Sequence, residues 1–246
     1  MGLGLGLGAS QSSYMSFLPT DISNLALWLQ NGVGITSDGG TPDKVSRWAD
    51  SSGNGNDVSQ STAENQADLS GGGLDFEQSD NDHYDLDSAI TIAQNQGFCV
   101  AIVMDTESSS NNYIFSKDAN DQIQIIDAQT FGIKTNAPAA ITTQIVCPTG
   151  TFGNQKQLIL VNRSAGASNR FSVFKDGSAV TIDSDNSSFE AAGENPNGFD
   201  INVLGAKAGT SSYFDGIMFE VLFFDKGLSS TEISDLNSYL KSKHGL

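Results

Sequence analysis

The sequence predicts an all-β fold, a two-sheet antiparallel sandwich of the jelly-roll type with one short C-terminal helix. Three observations support this prediction. Short apolar runs recur along the chain, several alternate with period 2, and clusters of Gly, Asn, Asp and Ser separate them. Only one segment has the 3.6-residue periodicity of a helix of several turns. Many short antiparallel strands with a single terminal helix are typical of a β-sandwich.

Eight apolar runs are predicted to be strands, and they extend from near the start of the chain almost to its end. The run at 157–161 is nearly continuously apolar, as expected of a strand in a sandwich core. The predicted strands are residues 25–29, 98–104, 113–115, 123–126, 157–161, 171–174, 201–204 and 217–224.

Turn signals separate these runs. Asp176 and Gly177 lie between two alternating segments, and an Asp-Gly pair in that position predicts a β-hairpin. The Ser-Gly-Asn-Gly-Asn segment at 52–56 predicts a tight turn, because Gly and Asn adopt backbone angles that other residues avoid. A binding loop is the second interpretation of this segment.

The predicted helix covers residues 229–244. Ser229 and Glu232 have the spacing of a capping box, and Gly245 follows as a helix terminator. A single helical turn is also predicted to begin at Pro19. The apolar face of the terminal helix is formed by Ile233, Leu236 and Leu240.

The composition excludes several classes of partner. The 246 residues include 12 Lys and Arg against 29 Asp and Glu, for a net charge of −17. Such a chain repels phosphates, so neither nucleic acid nor an anionic membrane is an expected partner. No apolar run reaches the length of a transmembrane helix. The first ten residues carry no Lys or Arg, so no signal peptide is predicted.

The cysteines and tryptophans are predicted to be structural. Cys99 and Cys147 each lie beside an apolar run and are interpreted as buried free thiols, with a disulfide between neighbouring strands as the alternative. Trp28 and Trp48 are interpreted as core anchors, with exposed sugar-stacking platforms as the alternative.

Two segments resemble the concanavalin A-like, laminin-G-type jelly-roll domains. Residues 45–57 contain a Trp-x-Asp-x-Ser-Gly-x-Gly turn, and a Gly-Leu-Asp-Phe strand follows at 73–76. Residues 214–224 form a Phe-Asp-Gly-Ile-Met-Phe-Glu-Val strand that leads into a Leu-Ser-x-x-Glu-Ile helix start. The resemblance covers residues 20–240 and implies the fold. It implies no single function, because this sandwich hosts lectins, glycosidases, adhesion modules and viral structural proteins.

The glucanase branch of this fold carries clustered carboxylates on one strand, and this sequence lacks that motif. Its nearest counterpart is Asp75 and Glu77, interpreted as a solvent-facing pair on either side of a buried Phe76. We therefore predict that the chain is not an enzyme. A glycosidase that depends on Glu77 is the third-ranked hypothesis.

The resemblance also implies a calcium ion at one rim of the sandwich. Asp80, Asp82 and Asp85 are the candidate ligands, because carboxylate oxygens suit calcium. The first interpretation of this segment is a solvated acidic loop, and the calcium site is the alternative. No other cofactor is predicted.

Three tyrosines are candidate glycan-binding residues. Tyr84, Tyr113 and Tyr213 lie near polar loops, and a tyrosine ring offers an apolar face together with a polar hydroxyl.

Residues 1–18 are predicted to be an extended arm and linker that precede a laminin-G-like domain at 19–246. Gly alternates with Leu3, Leu5 and Leu7, so an extended chain places the three leucines on one face. A bare glycine face permits strand addition to a neighbouring sheet. A disordered tail is the alternative.

The leading functional hypothesis is a non-enzymatic virion structural protein, either a phage capsid decoration subunit or a tail or fibre subunit. This hypothesis follows by analogy with laminin-G-like proteins of tailed-phage particles, and the arm would contact other virion proteins and further copies of the chain. The alternative is a lectin-like module that binds surface glycans. Under the leading hypothesis the protein is made in the host cytoplasm and resides in the virion.

Overall fold

All eight predicted runs form strands in the computed structural model, which describes residues 17–94, 96–108, 110–135, 141–165, 171–185, 198–207 and 211–246. The strands of these residues are β1 (Leu25–Leu29), β2 (Ile35–Ser37), β3 (Val45–Trp48), β4 (Val58–Ser59), β5 (Asp68–Ser70), β6 (Gly73–Phe76), β7 (Tyr84–Ile92), β8 (Phe98–Thr106), β9 (Asn112–Ser116), β10 (Gln122–Ile125), β11 (Thr130–Thr135), β12 (Ile141–Val146), β13 (Gln157–Arg163), β14 (Phe171–Lys175), β15 (Ser178–Val180), β16 (Ser184–Asp185), β17 (Phe199–Leu204), β18 (Ala206–Lys207), β19 (Ser211–Tyr213) and β20 (Gly216–Phe224).

The predicted helix is present as α1 (Ser230–His244), and its capping box is formed. The Ser229 side chain accepts a hydrogen bond from the Glu232 N–H, and the Glu232 carboxylate accepts one from the Ser229 N–H at 2.8 Å. Gly245 ends the helix in a left-handed conformation with φ of 69°. None of the helices among the described residues is long and apolar enough to cross a membrane. Short 3-10 turns occupy Pro19–Asp21, Ala63–Asn65 and Gln78–Asp80.

Two antiparallel sheets form the sandwich, so the predicted jelly-roll class is confirmed. The eight-stranded sheet has the order β15-β14-β13-β8-β20-β6-β5, with β1 paired to β20 beyond the end of β6. The ten-stranded sheet has the order β16-β12-β11-β10-β9-β17-β7-β4-β3-β2. The hairpin predicted at Asp176 and Gly177 joins β14 to β15.

Strand alternation places one core cluster on each face of the eight-stranded sheet. In β8, Phe98 and Val100 belong to the main core that also contains the buried residues of the ten-stranded sheet. Cys99 and Ala101 belong to a second cluster together with the buried residues of α1. We call these two sides the inner face and the outer face. The helix therefore covers the side of this sheet that the partner sheet leaves open.

The division into an inner and an outer face explains the environments of the cysteines and tryptophans. Cys99 lies on the outer face and Cys147 in the main core, so the sheet separates the two thiols and both are free. The prediction of buried free thiols is confirmed. Trp28 and Trp48 are 5% and 0% exposed, so both act as core anchors as predicted.

Candidate ligand-binding cleft

The turn predicted at 52–56 is present, and a hydrogen bond to a carboxylate joins the residues on either side of it. Asp57 Oδ1 accepts a hydrogen bond from the Asp50 N–H at 2.6 Å, which closes the loop around the turn. Gly53 and Gly55 have φ values of 90° and 73°, angles that glycine adopts without steric cost. The loop is therefore a fixed structure rather than an open linker.

Two asparagines of this turn contact the edge of β1 that does not face β20. Asn54 Nδ2 donates to the Leu25 carbonyl oxygen at 2.7 Å, and Asn56 Nδ2 donates to the Ala26 carbonyl oxygen at 2.8 Å. Each side chain therefore donates a hydrogen bond from its amide nitrogen to a backbone carbonyl of β1. The amide oxygens of both residues accept no hydrogen bond within the described residues and are free to accept one from a ligand.

A cleft of about 500 Å³ lies between this turn, the start of β1, the end of β7 and the residue after β20. Its volume falls within the usual range for small-molecule sites. Its lining residues are Asn24, Leu25, Ala26, Asn54, Asn56, Ala89, Ile90, Thr91 and Asp225.

Asp225 supplies an acceptor that lacks a donor in the protein. Its backbone N–H donates to the Asn24 carbonyl oxygen at 3.0 Å, and its backbone carbonyl accepts from Gln96, so its position is fixed. The carboxylate oxygen Oδ1 is buried and has no hydrogen-bond partner among the described residues. A buried acceptor without a donor costs free energy until a donor reaches it. The cleft therefore favours a ligand with hydrogen-bond donors.

The chemistry of the lining suits an uncharged, hydroxyl-rich ligand. Amide and hydroxyl side chains both donate and accept, as sugar hydroxyls do, and the carboxylate of Asp225 accepts. Asp225 is the one charged side chain among the described lining residues, and it is negative. The cleft therefore has no cation to attract an anionic ligand.

The three tyrosines predicted to bind glycan do not offer exposed faces, so that prediction is wrong. Tyr84 is 0% exposed, because its hydroxyl donates to the Val45 carbonyl oxygen at 2.7 Å and accepts from the Ala67 N–H at 3.0 Å. Burial also raises the pKa of the Tyr84 and Tyr113 hydroxyls. Tyr113 is 7% exposed and Tyr213 is 9% exposed.

The predicted calcium ligands do not converge, which corrects that expectation too. Asp82 is 0% exposed, whereas Asp80 and Asp85 are exposed. Asp85 follows Tyr84 on β7, and alternation turns its side chain away from the core that Tyr84 occupies. Within the described ranges, no group of three or more His, Cys, Asp or Glu side chains is placed to hold a metal ion.

Asp82 instead has a local structural role. Its Oδ2 accepts a hydrogen bond from the Glu77 N–H at 2.8 Å. Burial raises the pKa of Asp82 to about 6, although that hydrogen bond and the charge of Lys44 act in the opposite direction. The buried carboxyl therefore orders the chain between β6 and β7.

Phe76 is buried as interpreted, but the carboxylates on either side of it are only partly solvent-facing, because Asp75 Oδ1 is buried. Phe76 is fully buried, whereas Asp75 and Glu77 are partly exposed. Burial raises the pKa of both carboxyls, and the negative charge of Glu107 raises it further. The arm residues Leu3, Leu5 and Leu7 lie outside the described residues, so the predicted assembly arm stays a prediction.

Sequence reasoning identified one wall of the cleft and missed the others. It singled out Asn54 and Asn56 as part of a turn and, secondarily, a binding loop. Asn24, Thr91 and Asp225 were missed, because they reach the cleft from three separate parts of the chain. The local signal at Asn24 is its left-handed backbone, with φ of 64°, which asparagine tolerates better than most residues.

Comparison with known proteins shows the fold. No protein-family model matches the chain, and no curated protein matches it. The binding domain of Paraclostridial Mosquitocidal Protein 1 is similar over 90% of this chain and 53% of its own, with a TM-score of 0.56 and 15% sequence identity. The sialidase of Trypanosoma rangeli, solved in complex with 2,3-difluoro-KDN, is similar over 91% of this chain and 33% of its own, with a TM-score of 0.52 and 16% identity.

These similarities concern architecture alone. The chain spans about half of the mosquitocidal binding domain and a third of the sialidase. At 15% and 16% identity they indicate a shared β-sandwich. Neither of these two structures is named as a virion protein.

Proposed function

We propose that this chain is a non-enzymatic carbohydrate-binding module and that the cleft beside the 52–56 turn holds an uncharged glycan. The observation that carries the proposal is Asp225, which lines a cleft together with amides and a hydroxyl and whose buried Oδ1 has no donor among the described residues. A sugar hydroxyl supplies that donor and can also pair with the free amide oxygens of Asn54 and Asn56.

The similar structures support this class of function without specifying the ligand. One is described as a binding domain, and the other is a sialidase in complex with a sugar-acid analogue. The charge of this chain favours a different ligand from a sugar acid, because the net charge is −17 and the cleft contains a carboxylate. Anionic sugars would be repelled, so the proposed ligand is a neutral glycan.

The test is retention on immobilised glycans, with Asp225→Asn as the key variant. This change removes the negative acceptor, and a hydrogen bond to a charged group contributes about 1.5–3 kcal/mol, so we expect at least about tenfold weaker binding. Asp235→Asn is the matched control, because Asp235 is exposed on α1 and makes the same change of charge away from the cleft. The control variant should bind as the wild type does.

Two outcomes would contradict the proposal. One is the absence of wild-type retention on every neutral glycan tested, and the other is an equal loss in both variants. Chelation adds a separate check. We expect retention to be the same with EDTA and with calcium chloride, because Asp80, Asp82 and Asp85 are not arranged around one point.

The virion hypothesis stays a prediction, and it is compatible with a glycan-binding module carried on a particle. Its test is deletion of residues 2–8, which removes Leu3, Leu5 and Leu7. If the arm anchors the subunit, the truncated protein should fold and fail to enter particles, whereas equal incorporation would contradict an anchoring role.

A further inference from the structure

A second recess lies on the outer face, between α1 and the strands β13 and β14. We call it the α1 groove. Its volume is about 390 Å³, and it shares no lining residue with the cleft described above. No charged side chain lines it within the described residues. Its wall includes both apolar and hydroxyl side chains, among them Phe174, Ile233, Ser172 and Ser234.

Asn237 occupies the buried side of α1 where the helical periodicity calls for an apolar residue. It follows Ile233 by four positions and precedes Leu240 by three, and all three are buried. Asn237 is 4% exposed and lines the groove, yet its Oδ1 has no hydrogen-bond partner among the described residues. Its amide nitrogen also makes no hydrogen bond in that part of the chain.

A buried amide oxygen without a donor is destabilising, because water solvates that oxygen in the unfolded chain. A leucine at this position would continue the apolar face of the helix without that cost. A donor from outside the described residues would satisfy this oxygen.

The same groove contains an amide whose hydrogen bonds are satisfied. Asn162 is 6% exposed, its Oδ1 accepts from the Leu228 N–H at 2.7 Å, and its Nδ2 donates to the Leu228 carbonyl oxygen at 3.3 Å. The backbone N–H and the backbone carbonyl of Leu228 thus satisfy both ends of this side-chain amide. Asn237 has the same donors and acceptor and lacks such a partner.

We propose that the α1 groove binds the acetamido group of an N-acetylated hexosamine. The acetamido N–H donates to Asn237 Oδ1, and its carbonyl accepts from Asn237 Nδ2. The methyl group packs against Ile233 and Phe174, and the sugar hydroxyls pair with Ser172 and Ser234. The absence of charge in the described lining fits a neutral group that is polar on one side and apolar on the other.

The α1 groove is a separate site from the cleft, because the two share no lining residue. Each proposal can therefore be tested without the other. The first experiment is a two-dimensional NMR titration of the full chain with N-acetylglucosamine and with glucose. Glucose is the matched probe, because it has the ring and lacks the acetamido group. We expect N-acetylglucosamine to shift the side-chain amide signal of Asn237 saturably and glucose to bind at least about tenfold more weakly.

A third probe distinguishes a sugar from a peptide as the source of the amide. N-acetylalanine methylamide has the secondary amide and no sugar ring. Weaker binding of this probe than of N-acetylglucosamine supports a sugar ligand, and equal or tighter binding overturns it. Equal responses to glucose and N-acetylglucosamine also overturn the proposal.

The variant Asn237→Leu separates binding from structure. It removes the amide and completes the apolar face of α1, so we expect the N-acetylglucosamine response to disappear while the melting temperature stays the same or rises. A fall in melting temperature together with unchanged binding would show that Asn237 is structural. Asn237→Ala, which favours a helix and fits the space, gives the same test if the leucine variant does not fold.

Asp225→Asn is the control for independence of the two sites. It alters the cleft and leaves the α1 groove intact, so its response to N-acetylglucosamine should match that of the wild type. Loss of the response in this variant would place the bound sugar in the cleft and overturn the assignment to the α1 groove.

Discussion

The two faces of the eight-stranded sheet bury their side chains in different ways. The inner face packs against a whole second sheet, and the core there is dominated by aliphatic and aromatic residues such as Phe98 and Phe223. The outer face is covered by a single helix and buries Glu220 and Asn237 among its apolar residues, whereas the inner face buries Arg163 against the ring of Phe98. A helix covers a narrower strip than a sheet, so the outer face retains recesses and the inner face becomes a sealed core.

The strongest test of this difference uses two adjacent phenylalanines of β20. Phe223 and Phe224 are both 0% exposed, and they point to the inner and outer face respectively. The Phe223 ring packs edge-on against the Phe115 ring, with 5.7 Å between the ring centroids, and stacks on the Phe98 ring, with 5.8 Å between the centroids. Removal of a buried phenylalanine ring costs about 3–5 kcal/mol.

We expect the loss of unfolding free energy to be at the upper end of that range for Phe223→Ala and at the lower end for Phe224→Ala. Two sheets fixed by many strands relax little around a cavity, whereas a single helix can shift toward one. Urea unfolding followed by circular dichroism measures both free energies of unfolding. Equal losses, or a larger loss for Phe224→Ala, would show that the helix is as rigid as the second sheet.

A smaller effect is expected at Glu220, the buried charge beneath the end of α1. Its carboxylate pairs with Lys243 at 2.8 Å and His244 at 2.6 Å, and it accepts from Trp28 Nε1 at 2.7 Å. These contacts fix the last turn of the helix to β20 and β1. We expect Glu220→Gln to lower the free energy of unfolding by about 2 kcal/mol, because a neutral amide replaces the buried negative acceptor that Lys243, His244 and Trp28 contact.

The stabilisation that Glu220 provides should also depend on pH. Burial alone would raise the pKa of Glu220, but the hydrogen bonds from His244, Lys243 and Trp28 outweigh it and hold the pKa below its ordinary value of 4.5. The stabilisation is therefore complete above pH 4.5 and declines as the pH falls through the lower folded-state pKa. The difference in the free energy of unfolding between wild type and Glu220→Gln should become smaller as the pH falls below 4.5. A difference that does not change with pH would contradict a stabilising role of the Glu220 charge.

The smallest effect is expected at the start of α1. Ser229→Ala removes the side chain that accepts from the Glu232 N–H, and the loss of such a cap costs about 1 kcal/mol. Ser238→Ala is the control, since Ser238 is exposed in the middle of the helix and its hydroxyl bonds only to the Ser234 carbonyl oxygen. Thermal unfolding should separate the two variants, and equal melting temperatures would show that the cap does not limit helix docking.

The strands and the helix were predictable because their signals are local. Short, nearly continuous apolar runs mark β8 and β20, and the helix start needs only Ser229 and Glu232 in their fixed spacing. The face that each strand residue occupies also follows once the sheet is known, which is how Cys99 and Cys147 come to be separated.

The candidate sites were much less predictable, because they depend on contacts between distant residues. Tyr84 resembled an exposed platform, yet its hydroxyl is satisfied by Val45 and Ala67, and nothing local reveals those partners. Asp225 becomes part of the cleft only when β20 brings it beside the 52–56 turn. Polarity within an otherwise apolar helix face, as at Asn237, is the one signal that sequence reasoning had available and did not use.

The amides of Asn54 and Asn56 have one more consequence, which concerns self-association. An edge strand with unpaired carbonyls is a template for intermolecular strand pairing and aggregation. Here two side chains occupy the Leu25 and Ala26 carbonyls, so a loop shields the free edge of β1 without adding a strand. The free edge of β1 is therefore protected against pairing with an edge strand of another copy.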